Sequence, residues 1–463
     1  MGFWHRHHNA LTDEIVVRKL LLVHPLTRSP FAGYGDTEAW GLPPLSLAYV
    51  AALTPDTWHV DVIDEYVEEL DLARDADLVG ISTYSVNATR GYELAEHFRS
   101  RGIPVVMGGI HASMVPDEAL QYVDSVVVGE CESVWAQVIA DVESNCLKKV
   151  YHGERLPLNG LVQPRRDLLK GKYEMDVIQT TRGCPFSCEF CSVTAFNGAE
   201  FRMRPVEDVL NEMETLEKDI FYFIDDNLFG SGAIGRERAL RLFHGMVDRG
   251  IKKIWFSQAS INIARYPDVL DAAYRSGCRS LFIGLESPCE ANLKTMNKSP
   301  NLAVGQDGVR KAIREIQKHH IAVVGAFIIG YDHDDVTVFA RLLDLMDEVD
   351  SVQLAILTPF PGTALFERLH RENRIVYDDF PGDWEKSDTD HVMIRPLNLD
   401  IIELVRGFDY IIGKKFSWHS IIRQAIRTLI RTRSPLAAYM SYCFNSDSAK
   451  VNGKRKKADT GRA

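Results

Sequence analysis

Residues 175–191 read MDVIQTTRGCPFSCEFC. Met175 to Thr180 form a short run around Val177 and Ile178, too brief for a helix and bounded by turn formers, so it reads as a buried strand. It runs directly into a loop that carries Cys184, Cys188 and Cys191 at CxxxCxxC spacing. Only eight Cys occur in 463 residues, too sparse for a disulfide scaffold, yet three crowd into this loop as metal ligands do. Three thiolates can hold three irons of a 4Fe-4S cluster and leave the fourth open to a substrate or cofactor. Structural zinc wants four ligands, and the next candidates, His244 and Cys278, are distant in sequence. A strand whose C-terminal end bears the chemistry is the hallmark of parallel α/β folds.

Downstream, IFYFIDD (220–226), KIWFSQAS (253–260), SLFIGLE (280–286), AVVGAFIIG (322–330) and SVQLAIL (351–357) read as further strands. Helix candidates separate them near Pro205, Gly235, Pro267, Gly308 and Asp335. Six alternations over about 180 residues predict a partial or full parallel barrel across 173–375, with active groups at the C-terminal strand ends. Upstream, RKLLLVHP (18–25), WHVDVIDE (58–65), ADLVGIST (76–83), IPVVMGG (103–109) and VDSVVVGE (123–130) alternate with helical stretches. They predict a doubly wound, Rossmann-like sheet over 15–148. The polar stretch 149–172 has no sustained period and reads as a connector. Residues 376–445 should be mostly helical, and 446–463 a disordered basic tail.

Hydrophobic residues at 46% and charged ones at 25% match soluble globular chains, and the length exceeds one compact core. The 53 Lys and Arg against 64 Asp and Glu give a net charge of −11, which excludes a nucleic-acid binder that works by bulk charge. No run reaches the roughly 18 to 20 apolar residues of a membrane span, and the first ten residues lack the apolar core of a secretory signal, so a cytoplasmic location is expected. From Ile411 onward twelve Lys or Arg face only Asp447 and Asp459, a local charge of +10. Trp418, Ile421, Ile422, Ala425, Ile426, Leu429 and Ile430 fall at helical spacing, with Arg423, Arg427 and Arg431 opposite. The favoured expectation is a helix that caps the barrel and leaves its basic side in solvent; a weak membrane-surface contact is the alternative.

GCPFSCEFCS (183–192) at the mouth of a six-strand alternation resembles the radical SAM superfamily. The resemblance implies that the open iron chelates S-adenosylmethionine (SAM). One electron, from an external donor such as flavodoxin or ferredoxin, then cleaves it to methionine and a 5′-deoxyadenosyl radical. By the same likeness Phe190 lies near the adenine. Asp226, with Asp225 as the alternative and Asn227 beside them, would hold the SAM ammonium. Ser257 and Gln258 would reach the SAM carboxylate and the substrate edge, Glu286 the ribose hydroxyls, and Gly325 and Gly330 would let backbone pass the adenine.

In the first unit no GxGxxG opens a helix after the first strand, which disfavours a dinucleotide. Instead GLPPLSLAYVAAL (41–53), VGISTYSVNA (79–88), VVMGGIHASMVPDEAL (105–120) and VVVGECE (126–132) resemble the cobalamin-binding domain that precedes the barrel in one radical SAM subclass. That likeness implies that Ser82, Thr83, Gly108, Gly109, Gly129 and Glu130 line the slot for the cobalamin nucleotide tail. His111 would touch the corrin edge, or else be a hydrogen-bonded turn residue. None of the seven His before Lys148 has an Asp two positions earlier, so the Asp-x-His-x-x-Gly motif that supplies a lower cobalt ligand elsewhere is missing.

PFPGTALFERL (359–369) and WEKSDTDHVMIRP (384–396) extend the resemblance toward family members acting on hopanoids, chlorophyll precursors and antibiotic scaffolds. The function it implies is a cobalamin-dependent radical SAM C-methyltransferase of a small-molecule substrate. The alternatives are a cobalamin-dependent oxidative cyclase and, from a different class, a cobalamin-responsive binding protein with a vestigial barrel.

Overall fold

A computed structural model describes residues 17–28, 41–171 and 173–460, with side chains through Val451. The first sheet contains β1 (Arg18–His24), β2 (Trp58–Asp64), β3 (Leu78–Ser82), β4 (Val105–Gly108), β5 (Ser125–Val128) and β6 (Val150–His152), in the order β2-β1-β3-β4-β5-β6 and parallel throughout. Leu20 to Val23 are all buried because helices cover both faces: Leu21 and Val23 pack toward Tyr92 and Phe98, Leu20 and Leu22 toward Trp135 and Val138. The sheet order reverses between β1 and β3, which opens a crevice at their C-terminal ends.

β6 falls in the stretch read as a connector. Three residues cannot show a period, so its signal was too short to see. It is held by pairing with β5 and by Tyr151, whose hydroxyl donates to Asp141 across 2.6 Å.

The second sheet runs β7 (Asp176–Ile178), β10 (Ile220–Phe223), β11 (Ile254–Ala259), β12 (Cys278–Glu286), β13 (Ala322–Ile329) and β14 (Ser351–Ile356) in that spatial order, again all parallel. Two short strands, β8 (Thr181–Arg182) and β9 (Arg202–Met203), pair antiparallel just after β7. This is the partial barrel that six alternations imply, with its helices outside. Phe221, Phe223, Trp255 and Phe243 form a chain of aromatic contacts between the sheet and those helices, with ring centroids about 5 Å apart. Full burial of each ring stabilises the fold by roughly 1.5–3 kcal/mol.

Beyond the barrel come helices Ala364–Arg371, Ile401–Lys415, Trp418–Thr432 and Pro435–Thr460, with a short 3₁₀ turn at Gly382–Lys386. The stretch expected to be a disordered tail from 446 is thus helical as far as Thr460. Its start is anchored by Asn445 and Ser441, which donate to the Asp350 carbonyl.

The Trp418–Thr432 helix departs from expectation in its orientation. Ser420, Gln424, Thr428 and Thr432 are buried together with Ile421, whereas Trp418, Ile422, Ile426 and Ile430 are exposed. The polar face docks because the chain just before β14 offers unpaired acceptors. Gln424 donates to the Val349 carbonyl, Arg431 to the Asp347 and Glu348 carbonyls at 3.0 and 2.8 Å, and Arg427 lies 3.0 Å from the Asp347 carboxylate. Among the described residues no helix is long and apolar enough to cross a membrane.

The two sheets meet through the helix Leu45–Leu53, where Leu45 and Tyr49 pack with Val177 and partly buried Tyr222 and Ile224. Trp384, from the 3₁₀ turn, stacks on Phe380 and donates its indole N–H to Glu118 of the first unit at 3.0 Å.

Candidate functional site

The cysteine loop leaves β7 under close constraint. Asp225 is fully buried and accepts from the Thr180 amide, the Thr180 hydroxyl and the Thr181 amide at 2.6, 2.6 and 2.9 Å, so both its oxygens are spent on shaping the strand end. Asp226 is only half-buried and accepts from the Gly183 amide at 2.9 Å. Burial pushes its carboxyl up to about 6. Of the two carboxylates Asp226 therefore has a face left over for a cation. Asn227, next in line, points its Nδ2 at Cys184 Sγ across 3.5 Å and donates to Ser260 Oγ at 2.9 Å.

The rest of the loop is clamped from two sides. Asn297 donates to the Ser187 carbonyl and hydroxyl, each at 2.9 Å, and the Glu189 amide donates to the Met296 carbonyl at 3.1 Å. Arg368, on the helix Ala364–Arg371, grips the Glu189 carboxylate at 3.0 Å and Asp332 at 2.7 Å.

Lys298 stands where these parts meet. Its ammonium donates to Glu286 at 2.6 Å and lies 5.8 Å from the Phe190 ring, so Phe190 and Glu286 share one corner. Glu286 sits at φ +60 beside a register shift in β12, a left-handed conformation that a non-glycine residue adopts at a cost of about 1–3 kcal/mol. Burial pushes the Cys188 thiol up to about 11, with the Lys298 charge pulling the other way; bound metal would deprotonate it outright.

Ser257 does not join this corner. Alternate β11 residues face opposite ways: Trp255, Ser257 and Ala259 are buried, and Ser257 Oγ donates within the sheet to the Phe223 carbonyl at 3.3 Å. Gln258 faces the other way and is exposed. Gly325 likewise lies on the helix side, where a Cβ would come within 2.9 Å of Phe327 and Val349; packing accounts for that glycine.

At the first sheet, a cavity of about 290 Å³ opens between the ends of β5 and β6 and the helix Ser192–Asn197 that follows Cys191. Gly129, Glu130, His152 and Gly153 line it from one side, Ala195 and Phe196 from the other. Gly153 must be glycine, since a Cβ there would lie 1.7 Å from the Glu130 carbonyl oxygen.

Thr83, Gly108 and Gly109 belong to a separate, tighter crossing of β3 and β4 together with Ser82. The Thr83 amide donates to the Gly108 carbonyl at 3.1 Å, and Gly109, at φ +94, would place a Cβ 2.6 Å from the Thr83 oxygen. His111 is 0% exposed, with Nδ1 3.2 Å from Ser85 Oγ and Nε2 3.0 Å from the Tyr92 hydroxyl. Both ring nitrogens are thus engaged within the protein, and the residue lies in the short helix Gly109–Met114.

Residues 41–139 match the family model described as B12 binding domain, and residues 178–346 match the Radical SAM superfamily. The bacteriochlorophyllide d C-12(1)-methyltransferase of Chlorobaculum tepidum is 32% identical over 409 residues, 84% of this chain and 86% of that one. This chain belongs to the cobalamin-binding radical SAM family. The anaerobic magnesium-protoporphyrin IX monomethyl ester cyclase of Rubrivivax gelatinosus is 23% identical over 401 residues, 76% of this chain and 70% of that one. Among solved structures, the cobalamin-dependent SAM radical enzyme OxsB shares the fold, with a TM-score of 0.69 at 14% identity over 94% of this chain and 72% of that one.

The chain is thus a radical SAM enzyme whose cofactors are those of the family: cobalamin, a 4Fe-4S cluster and SAM. Its residues fit them. A half-buried carboxylate, an amide donor to a cysteine sulfur and an ammonium beside the thiols suit an anionic cluster and a cationic ligand. Gly129 and Gly153 at the cavity are required by the close approach of their own backbones, since a Cβ on Gly129 would lie 2.9 Å from the Gly153 carbonyl oxygen. Residues that the sequence reading passed over and that the structure sets beside these groups are Lys298 at Glu286, Arg182 at Glu130 and His152 at the cavity. None carries a local motif, since the neighbours of each are distant in sequence.

Proposed function

We propose that this chain is a cobalamin-dependent radical SAM C-methyltransferase that moves a methyl group from methylcobalamin to an unactivated carbon of a small molecule after hydrogen abstraction by a 5′-deoxyadenosyl radical. The observation that carries the reading is the shared cavity: the helix directly after Cys191 and the glycine ends of β5 and β6 are its two walls. Chemistry begun at the cysteine loop can therefore meet a group held by the first sheet without a long transfer.

In this reading Cys184, Cys188 and Cys191 hold the cluster and Asp226 receives the SAM ammonium. Phe190 and Glu286 flank the adenosine, with Lys298 keeping the Glu286 carboxylate in place. Gln258, rather than Ser257, faces the substrate. Gly129 and Glu130, with His152, receive the cobalamin tail, while Ser82, Thr83, Gly108 and Gly109 fix the neighbouring strand ends that shape its slot. The described residues from Val17 to His152 form the cobalamin unit and 173–375 the SAM unit, and reduction comes from an external one-electron donor of the flavodoxin or ferredoxin kind. The greater identity to a methyltransferase than to a cyclase supports methylation.

By-product accounting tests this. Methyl transfer consumes one SAM to S-adenosylhomocysteine and a second to deoxyadenosine, so both accumulate in near-equal amounts and labelled methyl enters product. Substrate-dependent deoxyadenosine without S-adenosylhomocysteine or label would instead assign a cyclase.

A further inference from the structure

The Trp418–Thr432 helix is turned inside out relative to an ordinary surface helix. Gln424, Arg427 and Arg431 bond the chain before β14 and Thr428 bonds Ser441 of the next helix, while the apolar stripe faces water: Trp418, Ile422, Ile426, Leu429 and Ile430 are 58, 40, 54, 43 and 70% exposed, joined by Tyr439 of the next helix at 65%. Positions 418, 422, 426 and 430 are each one helical step of four apart, so they form one line, about 18 Å long. Scattered exposed apolar residues need no explanation, but a continuous line of branched and aromatic side chains marks a contact surface.

We propose that this face docks the enzyme on an anionic membrane surface, with the helix lying in the plane of the interface. Charge selects this occupant. Lys415, Arg427 and Arg431 are tied to Asp347 and Glu348. Arg423, although exposed, also lies 3.7 Å from the Asp347 carboxylate, whereas exposed Lys414 before the helix and exposed Arg433 at its end remain near the stripe. The sequence beyond Val451 adds Lys454, Arg455, Lys456 and Lys457. The segment from Ile411 carries +10 and the remainder of the chain −21. Two copies meeting through this face would bring like charges together, whereas acidic headgroups attract the cations and accept the apolar line beneath them. Trp418 and Tyr439 have the amphipathic rings favoured at headgroup depth.

The location also suits docking. The buried face of the helix bonds Asp347, Glu348 and Val349, just before β14 begins, so the docking face lies at the N-terminal ends of the barrel strands. The cysteine loop leaves the opposite, C-terminal end of β7. A docked enzyme keeps its site mouth directed away from the bilayer.

The test is sedimentation of the full chain with vesicles of phosphatidylcholine containing phosphatidylglycerol, and with phosphatidylcholine alone. The full chain should bind the acidic vesicles, less so as salt rises. The triple variant I422E/I426E/I430E should bind about tenfold or more weakly, because charge must then enter the apolar layer. Its unfolding temperature and iron content should not change. Trp418→Ser, a single exposed change, should shift binding in the same direction and serves where the triple variant fails to fold. Absence of binding to acidic vesicles at low salt would overturn the proposal, as would undiminished binding by the variants. Lipid-free self-association that the triple substitution abolishes would also overturn it, by assigning the face to a second copy of the chain.

Discussion

Arg182 Nη1 lies 2.9 Å from Glu130 Oε2, and its Nη2 lies 2.6 Å from Glu132 Oε1, so one guanidinium from β8, just after β7, is held by two carboxylates that follow β5 of the first sheet. Cys184 stands two residues further along the chain, and Arg202 also grips Glu130. The wall of the cavity at the ends of β5 and β6 and the start of the cysteine loop are therefore joined by a buried ionic cluster. Removing one partner from such a cluster leaves uncompensated charge and costs about 3–5 kcal/mol. Glu130→Ala should lower stability in urea by that order and reduce iron and cobalamin content together. Loss of cobalamin alone would mean that the cluster does not couple the two sites.

Replacing Cys184, Cys188 or Cys191 by Ala should abolish the 4Fe-4S absorbance and deoxyadenosine formation, because three thiolates leave no redundancy. The corresponding changes at Cys131, Cys146, Cys278, Cys289 and Cys443 should leave both in place. Iron analysis after anaerobic reconstitution reads the difference.

The two adjacent carboxylates should behave differently. Asp226→Asn should weaken SAM binding by about tenfold or more with the cluster intact, since a charge-assisted hydrogen bond is worth roughly 1.5–3 kcal/mol. Asp225→Asn should instead lower the unfolding temperature, because its oxygens hold Thr180 and Thr181. Calorimetric SAM titration beside thermal melts separates them.

Asp347 anchors the C-terminal helices. Burial alone would raise its carboxyl, but Lys415 and Arg427 outweigh that and hold it down at about 2. A carboxylate depressed on folding contributes stability that is complete above its unfolded value near 4 and is lost as pH falls toward 2. Asp347→Asn should remove that contribution at neutral pH and strand the buried Lys415 ammonium, at a cost of about 1–3 kcal/mol. Hydrogen exchange should show faster opening confined to the residues after Ile401.

Where the sequence was readable, the reason is spacing. Eleven strands of the two parallel sheets were legible because covered strands must be apolar on both faces, as Leu20 to Val23 are, and because CxxxCxxC admits few chemistries. What escaped depends on partners remote in sequence. Ser257 and Gln258 differ by one step of strand alternation, and nothing local says which faces inward. The outward stripe of the Trp418–Thr432 helix was placed on the wrong side because amphipathicity shows two faces without showing that Asp347 and its neighbours would claim the polar one. Lys298 is one residue of an unremarkable MNKS stretch, and only the fold sets it beside Glu286.

The hydrogen bond from Trp384 to Glu118 spans 266 residues of chain. Each sheet is built from strands close in sequence and can assemble as its own segment is made, whereas this contact waits for the last fifth of the polypeptide. Docking of the 3₁₀ turn on the first unit is thus a late event of biosynthesis, since Arg182 can meet Glu130 some two hundred residues earlier. Until then the two units are held by the packing of Leu45 and Tyr49 on Val177 and by the Arg182 cluster, and a Trp384→Phe chain should keep both sheets while loosening the seam at Glu118.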